Sequence, residues 1–277
     1  MSRKPDQIAE AIQTSGINKT HQDSSRLLIL GLLAGAYVGF GAQIATTVAI
    51  DAAQYVGIGI SKVIIGTVFS VGLMLVILGG AELFTGNCLI LLSVLGGRVK
   101  LSDLLRNWSI VYFGNFLGSV ILAYIIFNAG LFSMGSNALG ATAISIANSK
   151  VNLTFTQAFY RGIACNWLVC LAVWIAASAE STSGKILACI FPIMAFVGSG
   201  FEHSVANMFF VPMGILLRDV PELITQVGLN TSNLNWIGFI LKNLLPVTLG
   251  NIVGGCFFVS TLYAYVYSKK SKQNHLS

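Results

Sequence analysis

The chain has 277 residues, of which 55% are hydrophobic and only 9% are charged. A soluble domain carries roughly 25% charged residues, so the composition excludes an ordinary soluble globular protein and indicates a membrane protein in contact with a lipid bilayer. The formal net charge of +6 comes from basic residues that flank apolar stretches, where such residues act as topology signals, and it does not indicate nucleic-acid binding.

Residues 1–26 are polar, and they lack the short apolar core and small-residue site of a cleaved signal peptide. The stretch "DQIAEAIQTSGI" places Ile8, Ala11 and Ile12 on one helical face. We therefore predict a cytoplasmic N-terminal segment with a short amphipathic helix that lies on the membrane surface.

Six apolar stretches follow, each long enough to cross a bilayer, which takes ~20 residues. The second and fifth are too long for one straight helix, and they contain glycine-rich polar interruptions, "GGAELFTGN" at 79–87 and "GSGFEHSVAN" at 198–207. The predicted fold is all-α, a polytopic membrane protein with six transmembrane spans and two broken helices. The predicted spans are 27–50, 63–95, 108–128, 155–178, 186–216 and 244–267, and residues 268–277 form a cytoplasmic tail.

The distribution of lysine and arginine predicts the orientation, because cytoplasmic loops carry an excess of both. The N-terminal segment, the 96–107 loop, Lys185 and the tail would lie on the cytoplasmic side, so both termini would be cytoplasmic in a cell inner membrane. The opposite side keeps five basic residues, Lys62, Lys150, Arg161, Arg218 and Lys242.

The two halves of the membrane domain, about 27–128 and 155–267, share two patterns. The interruptions have a glycine, a glutamate and an asparagine at the same spacing, Gly80, Glu82 and Asn87 against Gly200, Glu202 and Asn207. The next spans repeat Asn107, Val111, Gly114, Asn115 and Gly118 as Asn243, Val247, Gly250, Asn251 and Gly254. Three spans per half is an odd number, so we predict a 3+3 inverted repeat within residues 27–267, a plan typical of transporters and channels whose broken helices meet at the midplane.

Non-helical backbone at membrane depth must be buried in protein or line a watery cavity. A charged residue there costs ~3 kcal/mol on insertion scales, yet Glu82 and Glu202 both accompany a break. The simplest role for both is to bind backbone N–H groups that the breaks set free. The half-helix after each break presents a partly positive N-terminus near the midplane, which favours anions and repels cations.

His203 lies at one of these ends and is the only histidine of the predicted membrane domain, since His21 and His275 lie in the polar termini. It is either a hydrogen-bonded packing residue or a group that lends a proton to an anion in transit, because imidazole titrates near pH ~6.5. An anion neutralised in this way would avoid most of the desolvation cost of an apolar constriction. Lys150, just before the fourth span, is either a solvated loop charge or an attractor of anions.

Four segments, "GAELFTGN", "RGIACNWLVCLAVW", "SGFEHSVANMFFVPMGILLRD" and "LLPVTLGNIVGG", closely resemble the formate/nitrite transporter family, which includes formate, nitrite and hydrosulfide channels. The similarity runs over about 27–267 with the motifs in order. It implies an aquaporin-like protomer, a homopentamer with one pore per subunit, and a small monovalent anion as substrate. In this family the N-terminal segment is associated with opening and closing of the inner mouth.

The resemblance also implies a role for each matching residue. His203 becomes the central pore histidine, with Thr85 as its hydrogen-bond partner and Asn166 beside the pore. Leu83 and Phe84 map to an external constriction with Val169 opposite, whereas Phe69, Leu73 and Phe196 map to a cytoplasmic constriction. Lys150 maps to the external vestibule, and the supporting residues are Glu202, Asn251, Glu82, Asn87 and Asn207.

Several alternatives stay open on the sequence. A proton-coupled secondary carrier would use the same residues as a channel, and an aquaporin-like channel for neutral solutes shares the fold, although the Asn-Pro-Ala signature is absent. An intramembrane enzyme built on Ser199 and His203 has no identifiable base or oxyanion arrangement. We therefore expect no catalytic activity, no metal and no cofactor, and the identity of the anion among formate, nitrite and hydrosulfide is undecided.

Overall fold

The computed structural model describes residues 2–267, and within that range helices are the only regular secondary structure, without strands. The predicted tail, 268–277, lies outside the described residues. The main helices are α1 (Pro5–Thr20), α2 (Ser24–Val48), α3 (Ala52–Gly79), α4 (Phe84–Leu95), α5 (Leu101–Asn128), α6 (Ala138–Val151), α7 (Phe155–Ser178), α8 (Thr182–Gly198), α9 (Ser204–Leu217), α10 (Pro221–Val227) and α11 (Trp236–Tyr267).

Five of the described helices, α2, α3, α5, α7 and α11, are long and apolar enough to cross a membrane. The predicted second span corresponds to α3 followed by α4, and the predicted fifth span corresponds to α8 followed by α9. Three predicted starts were too late. Helix α5 begins at Leu101 instead of 108. Helix α3 begins at Ala52 instead of 63 because it continues through a kink at Gly57, whose φ is 76°. Helix α11 begins at Trp236 instead of 244, with Lys242 and Asn243 inside it.

Both predicted breaks are present. Helix α3 ends at Gly80 and α8 ends next to Gly200, and these glycines have φ values of 75° and 74°. A side chain is strained in this left-handed conformation, so glycine is the residue that can end a helix this way. Residues 81–83 and 201–203 are not helical. Leu83 and His203 are extended and cap the N-termini of α4 and α9.

The two halves pack their helices in the same way. Gly31 of α2 lies against Gly114 of α5, and Gly162 of α7 lies against Gly250 of α11. A methyl group on Gly250 would collide with the carbonyl oxygen of Phe159, so this close approach requires glycine. Small residues let membrane helices approach in this manner. The matched pairs follow the repeat predicted from the sequence and bring α5 and α11 close to the two breaks.

Helix α1, which was predicted to lie on the membrane surface, packs against the rest of the chain. Ile8 and Ile12 are buried as expected, but the third fully buried apolar residue is Ala9, and Ala11 is only half-buried. Ser93 donates a hydrogen bond to the Gln13 carbonyl (2.9 Å), and Arg98 pairs with Glu10. This hydrogen bond to Glu10 raises the pKa of Arg98 above its ordinary value.

Helix α6 was not predicted, since the connection between the halves was treated as a loop. Its buried residues Ala143, Ile144, Ala147 and Val151 pack with the core of the domain. Contacts define two ends of the molecule. We call the end with α1 the α1 face, where Arg98 reaches Glu10 and the backbone N–H of Arg3 donates to the Ser178 carbonyl (3.0 Å). The other end, with α6 and the 228–235 loop, is the α6 face.

Candidate pore site

Two cavities of similar size enter the domain from opposite faces. The α1-face cavity has a volume of about 260 Å³ and is lined by residues of α1, α3, α4 and the first break. The α6-face cavity has a volume of about 270 Å³ and is lined by residues of α2, α3, α6, α7, α8, α9 and the second break. Leu83, the cap of α4, belongs to the first cavity, and His203, the cap of α9, belongs to the second.

Thr85 and His203 join the two breaks between these cavities. Both residues are buried, and Thr85 Oγ1 lies 2.9 Å from His203 Nε2. His203 Nδ1 accepts a hydrogen bond from the Ala206 backbone N–H (3.0 Å), so Nδ1 carries no hydrogen in this arrangement. A neutral ring then has its hydrogen on Nε2, which donates to Thr85 Oγ1. The Thr85 hydroxyl hydrogen is left to donate to another acceptor.

Two asparagines hold the broken backbone. Asn251 Nδ2 donates to the carbonyls of Gly162 (2.8 Å) and Glu202 (3.0 Å), and its Oδ1 accepts from Ser204 N (2.9 Å). Asn115 makes the corresponding bonds in the first half, with the carbonyls of Gly31 (2.8 Å) and Glu82 (2.9 Å) and with Phe84 N (2.9 Å). The supporting role of Asn251 was predicted, whereas Asn115 was seen in the repeat but not assigned to the site.

The carboxylates of Glu82 and Glu202 do not bind freed backbone N–H groups, so the simplest prediction for them was wrong. Each instead accepts hydrogen bonds from a lysine and an asparagine side chain, and the lysine adds the opposite charge that a buried carboxylate needs. The first set is Lys19 Nζ to Glu82 Oε2 (2.9 Å), Asn87 Nδ2 to Glu82 Oε2 (2.8 Å) and Asn87 Nδ2 to Asn107 Oδ1 (2.8 Å). The second set is Lys150 Nζ to Glu202 Oε1 (3.0 Å), Asn207 Nδ2 to Glu202 Oε2 (2.7 Å) and Asn207 Nδ2 to Asn243 Oδ1 (2.8 Å).

Lys19 and Lys150 are therefore equivalent residues in the two halves. Lys19 was missed as a site residue because its partner Glu82 is distant in sequence. Lys150 is neither a solvated loop charge nor a free vestibule charge. It contacts both oxygens of Glu202 (3.0 and 3.2 Å), its side chain is 13% exposed, and its Nζ lies 5.2 Å from the centre of the Phe210 ring. Both lysines line the cavity of their own face.

Asn166, which was predicted to lie beside the pore, contacts the backbone of Thr85. Its Nδ2 donates to the Thr85 carbonyl (3.2 Å) and the Asn251 carbonyl (2.7 Å). The Cys170 thiol also donates to the Thr85 carbonyl (3.4 Å). These contacts tie the first break to α7 and α11 and fix the position of the Thr85 hydroxyl.

The apolar residues are grouped differently from the prediction. Phe69 and Phe196 contact each other edge to face (centroids 5.8 Å apart) and line the α6-face cavity, on the same face as Lys150. Leu73 lines the α1-face cavity together with Leu83. Placing Leu73 with Phe69 and Phe196 was therefore wrong. The two α3 residues are one helical turn apart, about 6 Å along the axis, which separates the two cavities.

Phe84 and Val169 line neither cavity. The Phe84 ring packs edge to face on Tyr112 (centroids 4.8 Å apart) and Trp108 (5.6 Å) of α5, and Val169 is buried in α7.

Comparisons with known proteins give a consistent result. A family model described as formate/nitrite transporter matches residues 6–265. The chain is 41% identical to a probable formate transporter of Methanothermobacter thermautotrophicus, over 97% of this chain and 98% of that protein. It is 36% identical to the formate channel FocA of Escherichia coli K12, over 96% of this chain and 95% of that protein.

Two solved structures resemble the fold. A pentameric formate channel with formate bound superposes with a TM-score of 0.79 at 40% identity, covering 88% of this chain and 97% of that chain. An FNT family ion channel superposes with a TM-score of 0.79 at 29% identity, covering 94% and 98%. These relatives are channels and transporters. The chain therefore belongs to the formate/nitrite transporter family, as a multi-pass membrane protein.

Proposed function

We propose that the chain is a channel for small monovalent weak-acid anions, with formate as the first candidate because relatives over nearly its full length carry that name. The observation that carries the proposal is the buried Thr85–His203 pair (2.9 Å) between two cavities that open on opposite faces. The pore runs through each protomer, and Thr85, Asn166 and His203 form its centre.

The charges around the centre suit an anion and exclude a metal cation. The N-termini of α4 and α9 meet at the Thr85–His203 pair, and helix N-termini attract negative charge. Lys19 and Lys150 each neutralise the carboxylate of their own face. An anion approaching either break therefore meets hydrogen-bond donors and no unpaired carboxylate.

The proton that neutralises the anion comes from the aqueous side. If His203 carried it, both ring nitrogens would bear hydrogens, and Nδ1 would have to release the Ala206 N–H that it now accepts. We propose that His203 stays neutral and acts with Thr85 as a pair of hydrogen-bond donors that orient the acid. Leu73 and Leu83 on the α1 face, and Phe69 and Phe196 on the α6 face, then admit the neutral acid more readily than the bare anion.

The proposal also includes the oligomeric state of the chain and its orientation in the membrane. The chain forms a homopentamer, like the solved formate channel that its fold resembles, in a cell inner membrane. The α1 face, which holds Arg98, Arg106 and Lys185 as the positive-inside rule requires, is cytoplasmic. In this orientation Leu83 lies on the cytoplasmic side and Phe69 and Phe196 lie on the external side, which reverses the sides predicted from the sequence, and of these apolar residues only Leu73 keeps its predicted side. Exposed apolar side chains such as Ile58 and Ile60 then face lipid or neighbouring subunits.

Flux into liposomes tests this function and separates it from its alternatives. Purified protein should admit formate, nitrite and hydrosulfide down their gradients, faster at lower pH, and it should not admit glycerol. Because the neutral acid takes its proton across, an imposed proton gradient would accumulate formate through either a channel or a proton-coupled carrier. A carrier would show faster uptake of labelled formate when unlabelled formate is present inside the liposomes, whereas a channel would not. Formate flux equal to that of protein-free liposomes would contradict the proposal, and glycerol flux would favour a neutral-solute channel.

Substituting Lys150 tests its pairing with Glu202. We expect Lys150→Ala to lower formate flux at least about tenfold, because it leaves a buried carboxylate facing the α6-face cavity, where it repels anions. The double variant Lys150→Ala/Glu202→Gln should recover most of the flux. If the single variant conducts normally, or the double variant conducts no better than the single one, the charge of Glu202 does not govern entry.

A further inference from the structure

The two cavities occupy equivalent places but differ in charge. Leu30 O accepts from Glu82 N (3.2 Å), and Arg161 O accepts from Glu202 N (3.3 Å), so Arg161 is the counterpart of Leu30. Arg161 and Lys62 both line the α6-face cavity, together with Lys150. Lys19 is the one basic residue that lines the α1-face cavity in the described part of the chain.

The extra cations are not neutralised. Lys150 is paired with Glu202, as Lys19 is with Glu82. Lys62 and Arg161 are exposed, and neither has an ion-pair partner among residues 2–267. The α6-face cavity therefore has an excess of two positive charges, whereas the charges of the α1-face cavity balance. A concave site lined by one sign of charge concentrates counter-ions.

We propose that the α6-face cavity is a binding site for doubly charged oxyanions of the sulfate and hydrogenphosphate class, which block the pore from that face. Arginine offers a planar fork of donors that matches such oxyanions, and lysine adds a second positive charge. One proton cannot neutralise a sulfate ion, so it keeps its charge at the apolar Phe69 and Phe196 pair and does not pass. The proposed binding of the oxyanion does not depend on the proposed channel function, whereas the proposed block of the pore does.

Binding is measured on the detergent-solubilised oligomer by calorimetric titration with sodium sulfate at constant ionic strength, with sodium gluconate as the balancing salt. We expect saturable binding, and we expect the half-saturating concentration to rise at least about tenfold in Lys62→Gln/Arg161→Gln. The matched control is Lys242→Gln, which removes a surface lysine that bonds Asn233 (2.7 Å) and lines neither cavity. No saturable binding, or equal affinity in all three proteins, would overturn the proposal.

Blocking is measured as formate flux in liposomes whose protein orientation is scored by protease access to a C-terminal tag. Sulfate on the α6 face should inhibit flux, and the same concentration on the α1 face should inhibit it at least about fivefold less. The charge-conserving variant Lys62→Arg/Arg161→Lys should keep the inhibition. Equal inhibition from both faces would contradict the site. Sulfate binding in a protein without formate flux would instead refute the proposed function and leave the site intact.

Discussion

Replacing His203 with phenylalanine is expected to abolish formate flux, by at least about a hundredfold, while the oligomer stays assembled. The ring of Phe196 lies 6.0 Å from that of His203, so the variant would extend an apolar wall across the pore and remove the donor to Thr85. Without a polar partner at this point, the acid loses its compensating hydrogen bonds in a water-poor region, which costs several kcal/mol. Liposome flux with stopped-flow detection measures the effect.

His203 also caps α9, so two further variants separate the two roles. His203→Asn keeps an N-cap acceptor but does not reach Thr85, and it should restore the thermal stability of the wild type without restoring flux. His21→Phe changes a histidine at the end of α1, outside both cavities, and should conduct normally. Full conduction by His203→Phe would remove the imidazole from the mechanism.

Leucine at Asn251 is expected to destabilise the protein strongly. The substitution would leave the carbonyls of Gly162 and Glu202 and the N–H of Ser204 without their partner. Each unsatisfied buried group costs about 1–3 kcal/mol, so we expect a loss of about 3 kcal/mol or more. Thermal unfolding of the detergent-solubilised oligomer should shift down by roughly 6–12 °C.

The first half provides a matched test. Asn115→Leu removes the equivalent three hydrogen bonds and should destabilise the protein by a similar amount. A control is Asn128→Leu, at the exposed end of α5, where the side chain bonds only its own helix at the Tyr124 carbonyl (2.8 Å). If Asn251→Leu unfolds at the wild-type temperature, the asparagine does not hold the break.

Much of this architecture is predictable because it depends on local rules. Hydropathy located the spans, and glycine at positions 80 and 200 marked the breaks, since left-handed backbone needs glycine. The late starts of α3 and α11 have a physical cause as well. Gly57 and Lys242 look like loop residues, but a membrane helix tolerates both where other helices or the interface accommodate them.

The errors concern contacts between distant segments. No local pattern reveals that Lys19 pairs with Glu82, or that the Glu82 carboxylate accepts from side chains while Asn115 holds the backbone. The sequence also does not reveal which of the two cavities each apolar residue lines. Phe69 and Leu73 lie on one side of α3, one helical turn apart. Phe69 lines the α6-face cavity and Leu73 lines the α1-face cavity, and this difference depends on how the rest of the fold packs around α3.

The equivalence of Lys19 and Lys150 extends the internal repeat beyond the three spans of each half. Lys19 precedes Leu30 by the same number of residues as Lys150 precedes Arg161, and both lysines end a short helix that leads into a long one. Each half of the membrane domain is therefore preceded by a short helix that carries the counter-ion for the glutamate at its break. Shortening the chain past residue 19 would leave the buried Glu82 carboxylate without its lysine.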